Sequence, residues 1–454
     1  MHHQCDAMKV VIAGAGEVGT HLAKMLSLEQ HDITVMDEND ERLAFFSRSG
    51  VEILPITGNP ISPADLEKAR VKQADLFVSV TPEEAMNITS CMLASNLGAK
   101  KTFARINNYE YLLPGNRELF EKIGVSSMIY PEMLAAREIV TSIKKPWTRQ
   151  YWELFGGALV LIGVKVRENA AIVNRQLTEL GTSSQRRYHI VAIQRENEMI
   201  IPRGQDCVRP EDLIFISTTG DCENEVRALT GKDNPDVKSI IIMGGSRIAI
   251  RAAQYLPDHI QIKIFETSRD KSIVLSETLP DNVMIINGDA RDTDLLRQEG
   301  IMHAQAFIAL TDNASSNILA CLAAKRFGVY KTVAQVENID YIPLAIKLDI
   351  GAIINKKLIA ASHIYQILLN ADVSNVKCLT LADANVTELI ARSDSYITRK
   401  PVKDLKLPED LTLGGLIRDG KPMIIEGSTL IREHDHVMVF CLNSAMTKLK
   451  KYFA

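Results

Sequence analysis

Lys9-Val10-Val11-Ile12-Ala13-Gly14-Ala15-Gly16-Glu17-Val18-Gly19 is the stretch from which the rest of the chain can be read. An apolar run runs into three spaced glycines, and a helical pattern then leads to a second apolar run, Ile33-Thr34-Val35-Met36, closed by Asp37. Gly14 permits a tight turn out of the strand, Gly16 lets backbone approach a pyrophosphate, and Gly19 lets the helix lie close on the sheet. N–H groups at the helix start are expected to face the phosphates. Asp37 falls 23 residues after Gly14, where a carboxylate can accept bonds from ribose hydroxyls. Strand, glycine turn, helix and terminal acid together predict a nucleotide site.

At 454 residues the chain is long enough for more than one domain, since domains hold about 100 to 200 residues each. With 46% hydrophobic and 24% charged residues the composition is that of a globular protein, and a net charge of -4 argues against nucleic acid as partner. The longest apolar stretch, Leu154 to Val164, is shorter than the roughly 20 residues of a spanning helix. Seven cysteines, without a CxxC pair, predict a reduced, cytoplasmic compartment and no metal site. Residues 1–7 precede Met8, from which the fold is expected to begin.

Helices are predicted over Asn39 to Ser49 and Pro63 to Ala69, with strands over Val51 to Ile56, Ala74 to Val80 and Thr102 to Ile106. A long helix opens at Thr81-Pro82-Glu83-Glu84, and Pro131 to Lys144 carries a helical apolar stripe. Alternation at this spacing means a doubly wound parallel sheet, a Rossmann-like α/β fold. Beyond Pro146 come short β-rich runs, Leu159 to Val166, Tyr188 to Gln194, Met199 to Ile201 and Asp212 to Ser217, read as a small, separate α+β domain. Gly231 to Asp236 is the expected linker.

The chain then begins again. Gly244-Gly245-Ser246-Arg247-Ile248-Ala249 answers the first glycine turn at a spacing of 230, as do Gly288-Asp289-Ala290 for Gly58-Asn59-Pro60, Thr311 for Thr81, Asn317 for Asn87 and Gln335 for Arg105. Glu266 answers Asp37 at 229, and Arg432-Glu433-His434-Asp435 answers Arg209-Pro210-Glu211-Asp212 at 223. A register this constant means a duplicated two-domain unit, N1, C1, N2, C2. The bounds are expected at 8–145, 146–231, 237–371 and 372–454.

This arrangement resembles the Trk-type potassium-uptake regulators, which hold two RCK (KTN) domains, each followed by a TrkA-C domain. The resemblance is carried by Gly14 to Gly19, Asp37, the unit from Asp65-Leu66 to Ala74-Asp75, Thr81 to Asn87, and Gly288-Asp289-Ala290. It implies a regulatory subunit that is cytoplasmic and peripheral on the inner face of the cell membrane. Such a subunit binds NAD(H) or adenine nucleotides and gates an integral-membrane potassium transporter of the TrkH/TrkG kind. It further implies a homotetramer, a ring of eight RCK units paired through crossover helices, here Pro131 to Lys144 and Asn355 to Asn370. Carried onto this chain, the N1 contacts are Gly14, Ala15, Gly16, Glu17, Val18, Asp37, Thr57, Gly58, Asn59, Thr81 and Arg105. Those of N2 are Gly244, Gly245, Ser246, Arg247, Ile248, Glu266, Gly288, Asp289 and Thr311.

The two sites are unequal. N2 has Ser246 and Ala249 where N1 has Gly16 and Gly19, and Arg247 where N1 has Glu17. An arginine beside the phosphates favours a more highly charged ligand. N1 is therefore expected to take NAD(H), and N2, where occupied, ATP or ADP. Plainer readings stand beside these: the glycines serve helix packing alone, Asp37 is a solvated acid, Arg105 snorkels at the sheet edge, and Thr81 and Thr311 only begin helices. Two further functions compete, an NAD-dependent dehydrogenase and an RCK-type regulator of another cation transporter or antiporter. A dehydrogenase needs a second domain that supplies an acid or base at the nicotinamide, and no His-centred constellation provides one, so no enzyme is expected.

Overall fold

A computed structural model describes residues 8–27, 31–48, 52–181, 187–196, 198–369, 375–378 and 384–453. The chain forms two compact units, one running to Leu134 with Lys356–Leu368 added, the other holding Ala135–Asn355 and the residues from Leu369 onward. The strands of N1 are β1 (Lys9–Ala13), β2 (Asp32–Asp37), β3 (Ile53–Thr57), β4 (Leu76–Ser79), β5 (Thr102–Arg105) and β6 (Ser127–Ile129). All are parallel, in the order β3-β2-β1-β4-β5-β6. Helices on both faces bury β1 and β4, which explains why these strands read as unbroken apolar runs. The order reverses between β1 and β4, and the glycine turn lies there, at the carboxyl ends of the strands.

In C1 the strands are β7 (Gln150–Leu154), β8 (Leu159–Lys165), β9 (Tyr188–Arg195), β10 (Glu198–Ile200) and β11 (Leu213–Thr219), an antiparallel sheet of order β10-β9-β11-β8-β7. N2 repeats N1 with β12 (Ser239–Met243), β13 (Gln261–Glu266), β14 (Val283–Asn287), β15 (Ala306–Ala309), β16 (Lys331–Gln335) and β17 (Ala352–Ile354). C2 repeats C1 with β18 (Asn375–Cys378), β19 (Ala384–Ile390), β20 (Leu411–Arg418), β21 (Lys421–Ile424) and β22 (His436–Leu442). Asn370, the predicted end of the second crossover helix, lies outside the described residues, and the helix observed is Lys356–Leu369. That helix is counted with the first unit as far as Leu368, whereas Pro131–Lys144 enters the second from Ala135 onward, so both crossover helices exchange within one chain.

C1 does not stand as a separate domain. Successive strand residues point to opposite faces, and β8 is apolar on both. Val160, Ile162 and Val164 enter the core of C1 itself, while Leu159 and Leu161 join Val386, Met438 and Phe440 of C2 in a shared core. Phe215 and Phe440 meet there with ring centroids 6.1 Å apart. The recurrence at 223 also has a physical cause: Asp212, buried, accepts from Arg195 Nη2 at 2.7 Å and from the Arg209 N–H at 2.8 Å. Asp435 does the same with Arg418 and Arg432 at 2.6 and 2.8 Å. Glu211 and His434 take the left-handed backbone of those turns, with φ of 68° and 67°.

Candidate functional site

The N1 site starts from Gly14, whose φ of +108° only glycine adopts without strain, and whose N–H donates to Met36 O at 2.8 Å. Asp37, buried, accepts from the N–H of Ala15 at 2.7 Å and of Asn39 at 2.9 Å, with Arg42 3.6 Å away. The solvated-acid reading fails here, because the carboxylate ties the glycine turn to the end of β2. Ala15, expected as an N1 contact, has its N–H taken by Asp37. A carboxylate has about four acceptor sites, so capacity remains for ribose hydroxyls.

Gly16 accepts the first helical bond, from the Thr20 N–H at 2.9 Å, and a Cβ built on it meets nothing within 4 Å. The absent side chain therefore leaves open space, while at Gly19 it prevents a clash, since a Cβ there would lie 1.9 Å from Gly14 O. Across the cleft Asn87 accepts from the Thr81 N–H at 2.9 Å and hydroxyl at 2.7 Å, and its amide donates to the carbonyls of Thr81 and Arg105 at 3.0 and 2.9 Å. This buried side chain pins the loops after β4 and β5. The helix that follows is capped at Glu83, so Thr81 does not begin it.

These elements enclose a cavity of about 330 Å³. Of the sequence-predicted residues, Gly14, Gly16, Glu17, Val18, Asp37, Thr81 and Arg105 line it, joined by Arg42 and by Lys356 and Lys357 from the second crossover helix. Ala15, Thr57, Gly58 and Asn59 do not line it. Thr57 bonds Asp40, the Gly58 N–H donates to Asp37 O at 3.1 Å, and Asn59 Oδ1 accepts from the Ile61 N–H at 2.9 Å. Arg105 faces the cleft with an Nε that is buried and unpartnered. Glu17, which the sequence presents as an opposing charge, is paired with Lys357. The lining thus carries four cations against two acids.

N2 keeps the same scaffold. Glu266 accepts from the N–H of Gly245 at 3.2 Å and of Ser268 at 2.9 Å, and Asn317 repeats the bonds to Thr311 and to Gln335 O. Its cap is Asn313, so Thr311 does not begin the helix either. Asp289 Oδ1 accepts from the Arg291 N–H at 2.9 Å, the same turn that Asn59 makes in N1. The cavity, about 340 Å³, is lined by Gly244, Gly245, Ser246, Glu266, Gly288, Asp289 and Thr311 among others, while Arg247 and Ile248 lie outside the lining. Its cations are Lys271 and Arg291, and both are engaged: Lys271 lies 2.8 Å from Glu266 and Arg291 2.6 Å from Asp289. Burial would raise the Glu266 carboxyl, but Lys271 and the backbone N–H groups hold it below its ordinary value. The Arg291 bonds likewise lower Asp289. With Asp312 the lining has two cations against three acids, and Ser246 caps the helix Arg247–Tyr255 through the Ala249 N–H. The charge contrast expected from Glu17 and Arg247 is therefore reversed in the folded chain.

The TrkA-N domain family matches residues 10–131 and again 240–356, and the TrkA-C domain family matches 161–231 and 386–454. The chain is 28% identical over 98% of its length to the whole of Trk system potassium uptake protein TrkA homolog 2 of Methanosarcina mazei. It is 30% identical to the Trk system potassium uptake protein TrkA of Haemophilus influenzae, over 95% of each. The GsuK channel bound to NAD shares the fold, with a TM-score of 0.58 and 16% identity over all of this chain and 80% of that one.

Proposed function

The chain belongs to the family of TrkA-N and TrkA-C domain proteins, potassium-transport regulators and not enzymes, and on that premise we propose that it is a nucleotide-sensing gating subunit of a potassium uptake system. The observation that carries the reading is the N1 cleft, where an open Gly16 face, an excess of positive charge and a carboxylate at the end of β2 meet in one cavity. Such a cleft suits a dinucleotide, NAD(H), with its pyrophosphate over Gly16 and a ribose at Asp37. Occupation of the GsuK channel by NAD supports the choice of ligand. N2 takes ATP or ADP less tightly, because the phosphates must first draw Lys271 or Arg291 away from its own acid.

The partner is an integral-membrane potassium transporter, and the place of action the inner face of the membrane, a reading supported by the relatives' names and by near-complete coverage of both chains. Four chains form the assembly that meets the transporter. Nucleotide acts by favouring one arrangement of that assembly, and only by as much as its affinities for the two arrangements differ. The test is co-purification of the full chain with membranes that contain potassium-transport subunits. Recovery that changes when NADH is added is expected; no association in either condition contradicts the proposal.

A further inference from the structure

We propose that Lys357, 340 residues from the glycine turn in sequence, reads the phosphate charge of the ligand in N1, which takes this lysine from Glu17; the inference rests on the nucleotide reading of that cleft. Lys356 and Lys357 open the helix Lys356–Leu369, which is counted with the first unit as far as Leu368, and both line the N1 cavity beside Gly16 and Glu17. Two cations in a first helical turn oppose the positive end of the helix dipole, so the place is favourable only with anions beside it. The protein supplies two incompletely. Glu17 pairs with Lys357 across side chains that are 50% and 30% exposed, a setting in which an ion pair contributes little and is easily exchanged. Glu132, 3.9 Å from Lys356, is buried and leaves its second oxygen without a partner.

A pyrophosphate resolves this arrangement better than Glu17 does, since it brings more charge and more acceptor oxygens to the same lysine. Among the described residues N2 has no counterpart, for its lining residues all fall between Met243 and Ser316. The consequence reaches past affinity. Lys356 follows Asn355, whose buried amide donates to the carbonyls of Val336 and Glu337 at 2.9 and 3.2 Å, so the helix that feels the ligand continues directly from the last strand of N2. Charge in N1 is thereby read by a segment belonging to the other half of the duplication.

The experiment is fluorescence titration of the full chain with NADH and, in competition, with adenosine, for wild type, Lys357→Gln, Glu17→Gln and the double variant. Lys357→Gln is expected to weaken NADH about ten-fold, the scale of a charge-assisted bond. Glu17→Gln is expected to tighten it about three-fold by removing the carboxylate that competes with the phosphates for the lysine. In the double variant, where no lysine remains for Glu17 to hold, affinity is expected to match Lys357→Gln, a loss of about thirty-fold against Glu17→Gln, and adenosine, which has no phosphate, binds all four proteins alike. An unchanged NADH affinity in Lys357→Gln overturns the inference alone. So does a loss that vanishes in the Glu17→Gln background, because Lys357 then only neutralises Glu17. A wild-type chain that binds no NADH overturns the nucleotide reading itself, and this inference with it.

Discussion

N1 and N2 share a scaffold and differ in what occupies it. In both, an acid at the end of the second strand holds the glycine turn, and a buried asparagine pins the two loops opposite. In N1 the helix start is open at Gly16 and the lining has cations to spare; in N2 Ser246 fills the start and the cations are matched by acids. Duplication has kept the bonds that shape the cleft and changed those that meet a ligand. The fingerprint acid is thus evidence for a turn before it is evidence for a ribose, and unsatisfied charge is the better guide to binding.

The contrast is broken most severely at the third glycine. Gly19→Ala should destabilise N1 by about 3 kcal/mol, since the methyl would enter the Gly14 carbonyl. The reverse change at the corresponding site, Ala249→Gly, should cost about 1 kcal/mol, the helix-propensity difference. Hydrogen exchange within the helices Glu17–Ser27 and Arg247–Tyr255 separates the two, and equal losses would mean that the helices pack alike.

Acid should also distinguish the halves. His21, whose N2 counterpart is Arg251, is pushed down to about 4 from 6.5 by burial and then by Lys24. The unfolded chain therefore binds the proton more readily between those values, and stability falls as pH drops through them. Between pH 6.5 and 4.5 the loss should be about 2 kcal/mol greater in wild type than in His21→Gln, read from denaturant unfolding at both values. Parallel pH profiles would count against a partly buried neutral imidazole.

A smaller effect sharpens the assignment of N2. Arg291→Gln should lower ATP affinity by about 1 kcal/mol, whereas Arg247→Glu, outside the lining, should change it by less than about 0.5 kcal/mol. Calorimetry gives both values, and the opposite ranking would restore Arg247 to the phosphates.

The duplicated sheets and the phosphate turns were legible because each rests on local pattern: apolar runs, glycine spacing and a recurrence at 230. The strand Ser127–Ile129 escapes such reading, since three residues show no period. The joining of C1 to C2 escapes it too, because six consecutive buried residues at the start of β8 announce two covered faces but not what covers the second. Within the site, Gly14, Gly16 and Asp37 could be found from spacing. Lys356 and Lys357 could not, being brought to the cleft by tertiary structure; two lysines at the start of an apolar helix were the available signal. Asn87 was visible as a landmark of the repeat, yet its task appears only once Thr81 and Arg105 are placed around it.

The central claim, that nucleotide is sensed chiefly in N1, is met most directly by one pair of NADH titrations, of Asp37→Ala and of Glu266→Ala. The two acids make the same bonds in their own halves, so any difference reports the ligand and not the scaffold. Loss of about 1 to 3 kcal/mol of NADH binding in Asp37→Ala with wild-type affinity in Glu266→Ala is the predicted result. Loss in Glu266→Ala with Asp37→Ala unaffected would contradict it.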